Sequence, residues 1–99
     1  MNYKDTSDWN DLNEIRCLLI LKILIEENFP RNRQMQLCNE IATKSNLTSG
    51  SLSAKVSNYK SLAGINNKSN ASKNSKIIYE KYMQYSISEL EKVIAALSK

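Results

Sequence analysis

Thr48 to Leu62 reads TSGSLSAKVSNYKSL, and its spacing predicts a helix with two unlike faces. Leu52, Val56 and Tyr59 fall at i, i+4 and i+7, so they share one side, and Ala63 extends it. The opposite side carries Gly50, Ser53, Ala54, Ser57 and Ser61, with Lys55 and Asn58 on its flanks. A hydroxyl at Thr48 or Ser49 caps the start by satisfying an orphan backbone N–H. An ordinary solvated helix carries Glu as well as Lys. This one has Lys55 and Lys60 and no acid. A small, polar, acid-free side approaches a phosphate or a base edge closely.

Upstream, Asn32 is read as the cap of a helix running from Arg33 to about Ser45, with Leu37, Cys38, Ile41 and Ala42 on its buried face. Arg31 and Arg33 sit at its start, where the helix dipole disfavours cations. A break at Ser45-Asn46-Leu47 then leads into the 48–62 helix. Helix, short turn and helix is helix-turn-helix spacing, with Leu47 as the buried residue of the turn.

The first helix opens at Asp8 or Asp11 and runs to about Asn28. Asp11-x-x-Glu14 has the form of a capping box, and Phe29-Pro30 stops the helix because the residue before proline avoids the α region. Leu12, Ile15, Leu19 and Ile23 make one stripe, while Leu18, Ile20, Leu21, Leu24 and Ile25 cover much of the remainder. A helix apolar nearly all round is central in its domain or shared with a second chain. That keeps a homodimer in view. Downstream, Ser72 caps a helix to about Gln84 with Ile78, Tyr82 and Tyr85 on one side. Ser86-Ile87-Ser88-Glu89 forms a capping box for a last helix ending near Ser98.

The expectation is one all-α domain over residues 1–99: five helices, a helix-turn-helix-like core, a loose N-terminus at 1–8 and a polar loop at 64–71. Two Gly and one Pro suit a helical chain. No apolar run approaches the roughly 18–20 residues of a membrane span. The N-terminus lacks the basic-then-apolar order of a signal peptide. Cys17 and Cys38, in apolar helical stretches and outside any C-x-x-C pair, are expected as buried free thiols in a reducing cytoplasm.

Histidine is absent. Mixed Cys/His zinc sites, Ser-His-Asp and Cys-His nucleophilic systems and His general bases are thereby excluded. Glu26-Glu27 and Glu89/Glu91 point in different directions on a helix, so neither forms a carboxylate pair. No catalysis, metal or cofactor is expected.

Charge is unevenly distributed. Residues 1–40 hold seven acids and five bases. Residues 41–79 hold no acid and six lysines: Lys44, Lys55, Lys60, Lys68, Lys73 and Lys76. The last twenty residues hold three of each sign, so the net +4 arises from the middle block. A basic field confined to one segment is the electrostatic footprint of a nucleic-acid binder. AT-rich coding sequence also enriches Lys and Asn, but it does not remove acids.

The run Gly50 to Leu62, GSLSAKVSNYKSL, resembles the signature of a small helical module of bacteria and phages that often precedes an HNH endonuclease domain. The matching positions are Gly50-Ser51, Leu52, Lys55, Val56, Asn58, Tyr59 and Leu62, and the likeness extends over roughly residues 10–90. The resemblance implies DNA binding that directs an attached nuclease. Two positions depart from the pattern: Asn46-Leu47 replace a usual Gly-Arg, and Ala63-Gly64 replace a frequent Asp-Pro. Because the chain stops at Lys99 without a histidine, no HNH nuclease is expected with it.

The expected function is non-catalytic duplex-DNA binding, or a small regulator of phage or bacterial origin. Candidate contacts are Ser49, Gly50, Ser51, Ser53, Ala54, Lys55, Ser57 and Asn58 on the helix, with Lys44, Lys60, Lys68, Lys73 and Lys76 on flanking phosphates. For Lys55 and Asn58 a structural role competes: a stem laid over Leu52 and Tyr59, and a bond to a loop carbonyl. The alternative function is a protein-binding inhibitor or adaptor that blocks a host nuclease or defence protein. A DNA-mimicking inhibitor would be acidic, and this chain is basic. No membrane partner is expected.

Overall fold

The computed structural model describes residues 9–65 and 71–98. The fold is all-α. Among the described residues there are five helices: α1 (Asp11–Glu26), α2 (Arg33–Ala42), α3 (Ser49–Leu62), α4 (Lys73–Tyr82) and α5 (Ile87–Leu97). The expected loose segment 1–8 and residues 66–70 of the polar loop, including Lys68, lie outside the described residues.

Helix α1 is the axis. Its apolar residues face several directions, and one chain supplies enough neighbours to cover them. Ile15, Cys17, Leu18, Ile20, Leu21 and Leu24 are all buried. Helices α2, α3, α4 and α5 each pack on it. Leu19 and Ile23 pack at the margin, and Ile25 is exposed. The apolar circumference of α1 therefore needs no second copy to bury it.

The first turn of α1 differs from the expected capping box. Asn10 is the cap, accepting from the Asn13 N–H at 2.9 Å. This frees Glu14 from capping, and its carboxylate turns into the core instead, at 1% exposure. The other end closes with the Phe29 N–H donating to the Leu24 carbonyl at 2.8 Å and the Asn28 N–H to Ile25 at 3.1 Å. These are the two bonds of a Schellman ending, which places Asn28 in the left-handed region at φ 63°. Phe29 follows at φ 54°. A bulky residue there is a backbone outlier that costs on the order of 1–3 kcal/mol.

Helix α2 starts one residue after Asn32, but Asn32 is not the expected side-chain cap. It sits at φ 66° and makes no capping bond. A capping side chain needs an extended backbone to reach back to the first turn, and the left-handed conformation aims it elsewhere. Arg33 does not contact solvent alone either. Its Nε and Nη2 meet Glu27 Oε1 and Oε2 at 2.9 and 3.4 Å. Both partners are about one-third exposed, so the pair adds little stability.

Helix α2 ends at Ala42, earlier than Ser45, so the connection to α3 spans residues 43–48 rather than three or four residues. Leu47 packs partly into the core from this connection. Helix α3 begins where its sequence indicates: Thr48 caps it by accepting from the Ser51 N–H at 3.1 Å. Leu52, Val56 and Tyr59 are buried, as their spacing requires. Ser72 caps α4 in the same way, and α4 closes at Tyr82, before Gln84. Ser86 and Glu89 form both bonds of the capping box on α5. The Ser86 backbone N–H holds the Glu89 carboxyl below its usual range. Cys17 and Cys38 are buried free thiols, and burial pushes both upward. No helix among the described residues is long and apolar enough to cross a membrane.

Candidate nucleic-acid interface

Helix α3 is seated by its three buried side chains, which sends the other side outward. Gly50, Ser51 and Ala54 are exposed there, and Ser57, Asn58 and Ser61 are half-buried along the same side. A side chain at Gly50 has room, with Thr48 Oγ1 at 3.9 Å as its nearest neighbour. Packing therefore does not demand glycine at that position.

Neighbouring helices set the flanks. On the α2 side, Gln34 Nε2 donates to Ser53 Oγ at 2.8 Å and to the Ser53 carbonyl at 3.3 Å. Lys60 donates to Gln34 Oε1, and its ammonium lies 5.4 Å from the centre of the Phe29 ring. At the start of α3, Ser49 donates to Asn39 Oδ1. Thr48 Oγ1 donates to Ser51 Oγ at 3.1 Å. The candidate hydroxyls are therefore oriented by a hydrogen-bonded frame.

On the α4 side lies a buried polar cluster. Glu14 Oε1 accepts from the Tyr59 hydroxyl at 2.6 Å and from Ser75 Oγ at 2.8 Å. Lys55 Nζ lies 3.3 Å from Glu14 Oε2 and donates to Ser75 Oγ at 3.1 Å. The Trp9 ring covers Lys55, with the ammonium 4.6 Å from its centre. A buried carboxylate is costly unless it is paired and hydrogen-bonded, and Glu14 has both kinds of partner. Lys55 is thus held by Glu14, Ser75 and Trp9, a different role from a stem laid over Leu52 and Tyr59.

The remaining cations point outward. Lys44 lies in the α2–α3 connection, and Lys73 and Lys76 flank the inward-facing Ser75 on α4; all three are exposed. None of the three makes an ion pair among the described residues. The structure therefore places the uncharged candidates on one side of α3, Lys60 at its α2 flank, and Lys73 and Lys76 on the adjoining helix. Sequence reading missed Gln34 and Asn39, whose partners come from another helix.

The cluster sets a pH limit. Burial pushes the Tyr59 phenol well above its ordinary range, and the Glu14 charge pushes it further. A raised acid favours the protonated form on folding. That contribution is complete below the unfolded phenol's pKa of about 10 and is lost as pH rises above it. Cys17 is raised in the same direction, so the loss begins near pH 9. Tyr59→Phe is expected to melt lower at neutral pH, by about 1.5–3 kcal/mol for a hydrogen bond to a charged group. Its decline between pH 9 and 11 should be shallower than that of the wild type. Parallel pH profiles in thermal melts would contradict this assignment.

Comparison with protein-family models, with curated proteins and with solved structures returns no match.

Proposed function

We propose that the protein binds duplex DNA through the outer side of α3 and performs no chemistry of its own. The carrying observation is that this side offers only small uncharged groups, within a 39-residue block, 41–79, that lacks acids. Three exposed lysines in that block have no acidic partner among the described residues. The likeness of Gly50–Leu62 to the HNH-associated module agrees with this reading. The helix pair α2–α3 would act as a helix-turn-helix with a long connection. Gly50, Ser51, Ala54, Ser57 and Asn58 face the groove, with Ser49 and Ser53 at its edges. Lys44, Lys60, Lys68, Lys73 and Lys76 contact phosphates. Lys55 is reassigned from this set to support, because Glu14 already holds it.

Five phosphate contacts predict a slope of about −4.5 for log affinity against log salt. Lys73→Gln should weaken binding on every sequence and flatten that slope by about one unit. Changes at Ser57 or Asn58 should alter sequence preference instead. The titration uses a pool of random duplexes at about 50 mM salt, where non-specific contacts register. Two protomers per site would support a homodimer spanning successive grooves; α5, which packs chiefly on α1 and leaves Leu97 exposed, is the face for it. One protomer per duplex would remove the dimer. No binding at tens of micromolar protein would remove the DNA reading. It would favour a protein-binding inhibitor or adaptor, for which the exposed Ile77 and Met83 supply apolar contact.

A further inference from the structure

The turn between α1 and α2 holds an aromatic ring in an unusual place. Asn28, Phe29 and Asn32 all have positive φ, at 63°, 54° and 66°. Asn tolerates that region, and Asn28 completes the helix ending. Phe29 donates the second bond of that ending, to the Leu24 carbonyl at 2.8 Å, but its bulky side chain suits the left-handed region poorly. The residue is 38% exposed, so part of its surface is open to a ligand.

One cation is placed against the ring. Lys60 stands over the ring at 5.4 Å, steadied by Gln34 Oε1. Arg31, two residues on, is exposed and makes no ion pair among the described residues. Glu27 is the acid nearest in sequence, and Arg33 occupies both of its oxygens. A partly open aromatic ring with Lys60 over it, and Arg31 two positions along the chain, matches a base next to its phosphates.

We propose that Phe29 stacks on one unpaired base of a single-stranded tail, while Arg31 and Lys60 hold the phosphates on either side of it. This rests on the DNA-binding reading of α3 and deepens it. Lys60 belongs to the last turn of α3, so the tail would leave the duplex at that end of the helix. A single-stranded base fits better than a wedge between base pairs. Lys60 already occupies one side of the ring, whereas intercalation needs both.

The test compares a blunt hairpin duplex with the same hairpin carrying a three-nucleotide single-stranded tail, by fluorescence anisotropy. The tail should tighten wild-type binding about tenfold, the scale of one stacked base. Phe29→Gly removes the ring and relieves the positive φ. It should stay folded, bind the blunt hairpin equally and lose the gain from the tail. Phe29→Trp should retain that gain, which covers the case in which the glycine variant folds poorly. A tail that gives wild type no advantage, or an advantage that survives in Phe29→Gly, overturns the proposal and leaves duplex binding by α3 intact. Binding to the tailed hairpin without binding to the blunt one supports the stacking site and overturns the duplex reading. Binding to neither overturns both.

Discussion

Lys55→Met is expected to lower the melting temperature by on the order of 25 °C, because it strands a charge. Glu14 is 1% exposed at its side chain and Lys55 12%, so neither is screened by water. Removing one partner of a buried pair costs about 3–5 kcal/mol. In a domain of this size each kcal/mol moves the transition by roughly 4–8 °C. Methionine keeps most of the volume and leaves the carboxylate uncompensated. Adding Glu14→Gln should restore much of the loss, since the amide oxygen still accepts from Tyr59 and Ser75 without a charge. Thermal melts of both single variants and the double variant complete the cycle. A Lys55→Met protein that melts with the wild type would dissolve the cluster as described. The folded variant should also keep the wild-type salt slope on DNA, which distinguishes a supporting lysine from one on a phosphate.

Leu52→Ala is expected to cost about 2–5 kcal/mol, the range for a buried leucine whose site cannot collapse. Leu52 is fully buried among the residues that seat α3, and its carbonyl lies 3.9 Å from Cys17 Sγ. Ala54, two positions on, faces outward. Ala54→Leu should change stability by no more than about 0.5 kcal/mol, as for most surface exchanges. The contrast tests the orientation of α3, and with it the side offered to DNA. Equal melts for the two variants would reverse the assignment.

Local rules carried the helices and their starts. Thr48, Ser72 and Ser86 each precede a periodic apolar run, and a hydroxyl there has one profitable bond to make. Leu52, Val56 and Tyr59 were legible because nothing interrupts their spacing. Glu14 was misleading for the same reason. An acid in a first turn has a local explanation, and no local pattern announces that Tyr59 and Ser75 converge on it from 45 and 61 positions away. Lys55 shared that ambiguity, since a long flexible cation on a helix flank takes its direction from its neighbours. The left-handed backbone at Phe29 and Asn32 was also hidden. Pro30 signals a stop, but it does not announce the positive φ of the residue before it. The outer side of α3 was readable as a face, whereas its frame of Gln34 and Asn39 required the fold.

The Glu14 cluster also orders events in time. A chain emerging from the ribosome delivers α1, α2 and α3 well before α4. During that interval Glu14 has Lys55 and Tyr59 within reach but lacks the hydroxyl of Ser75. The cluster gains its last hydrogen bond only when residue 75 arrives. That contact joins positions 61 apart, and distant contacts of this kind slow folding. The polar core is thus complete only once the fourth helix has docked against the first and the third.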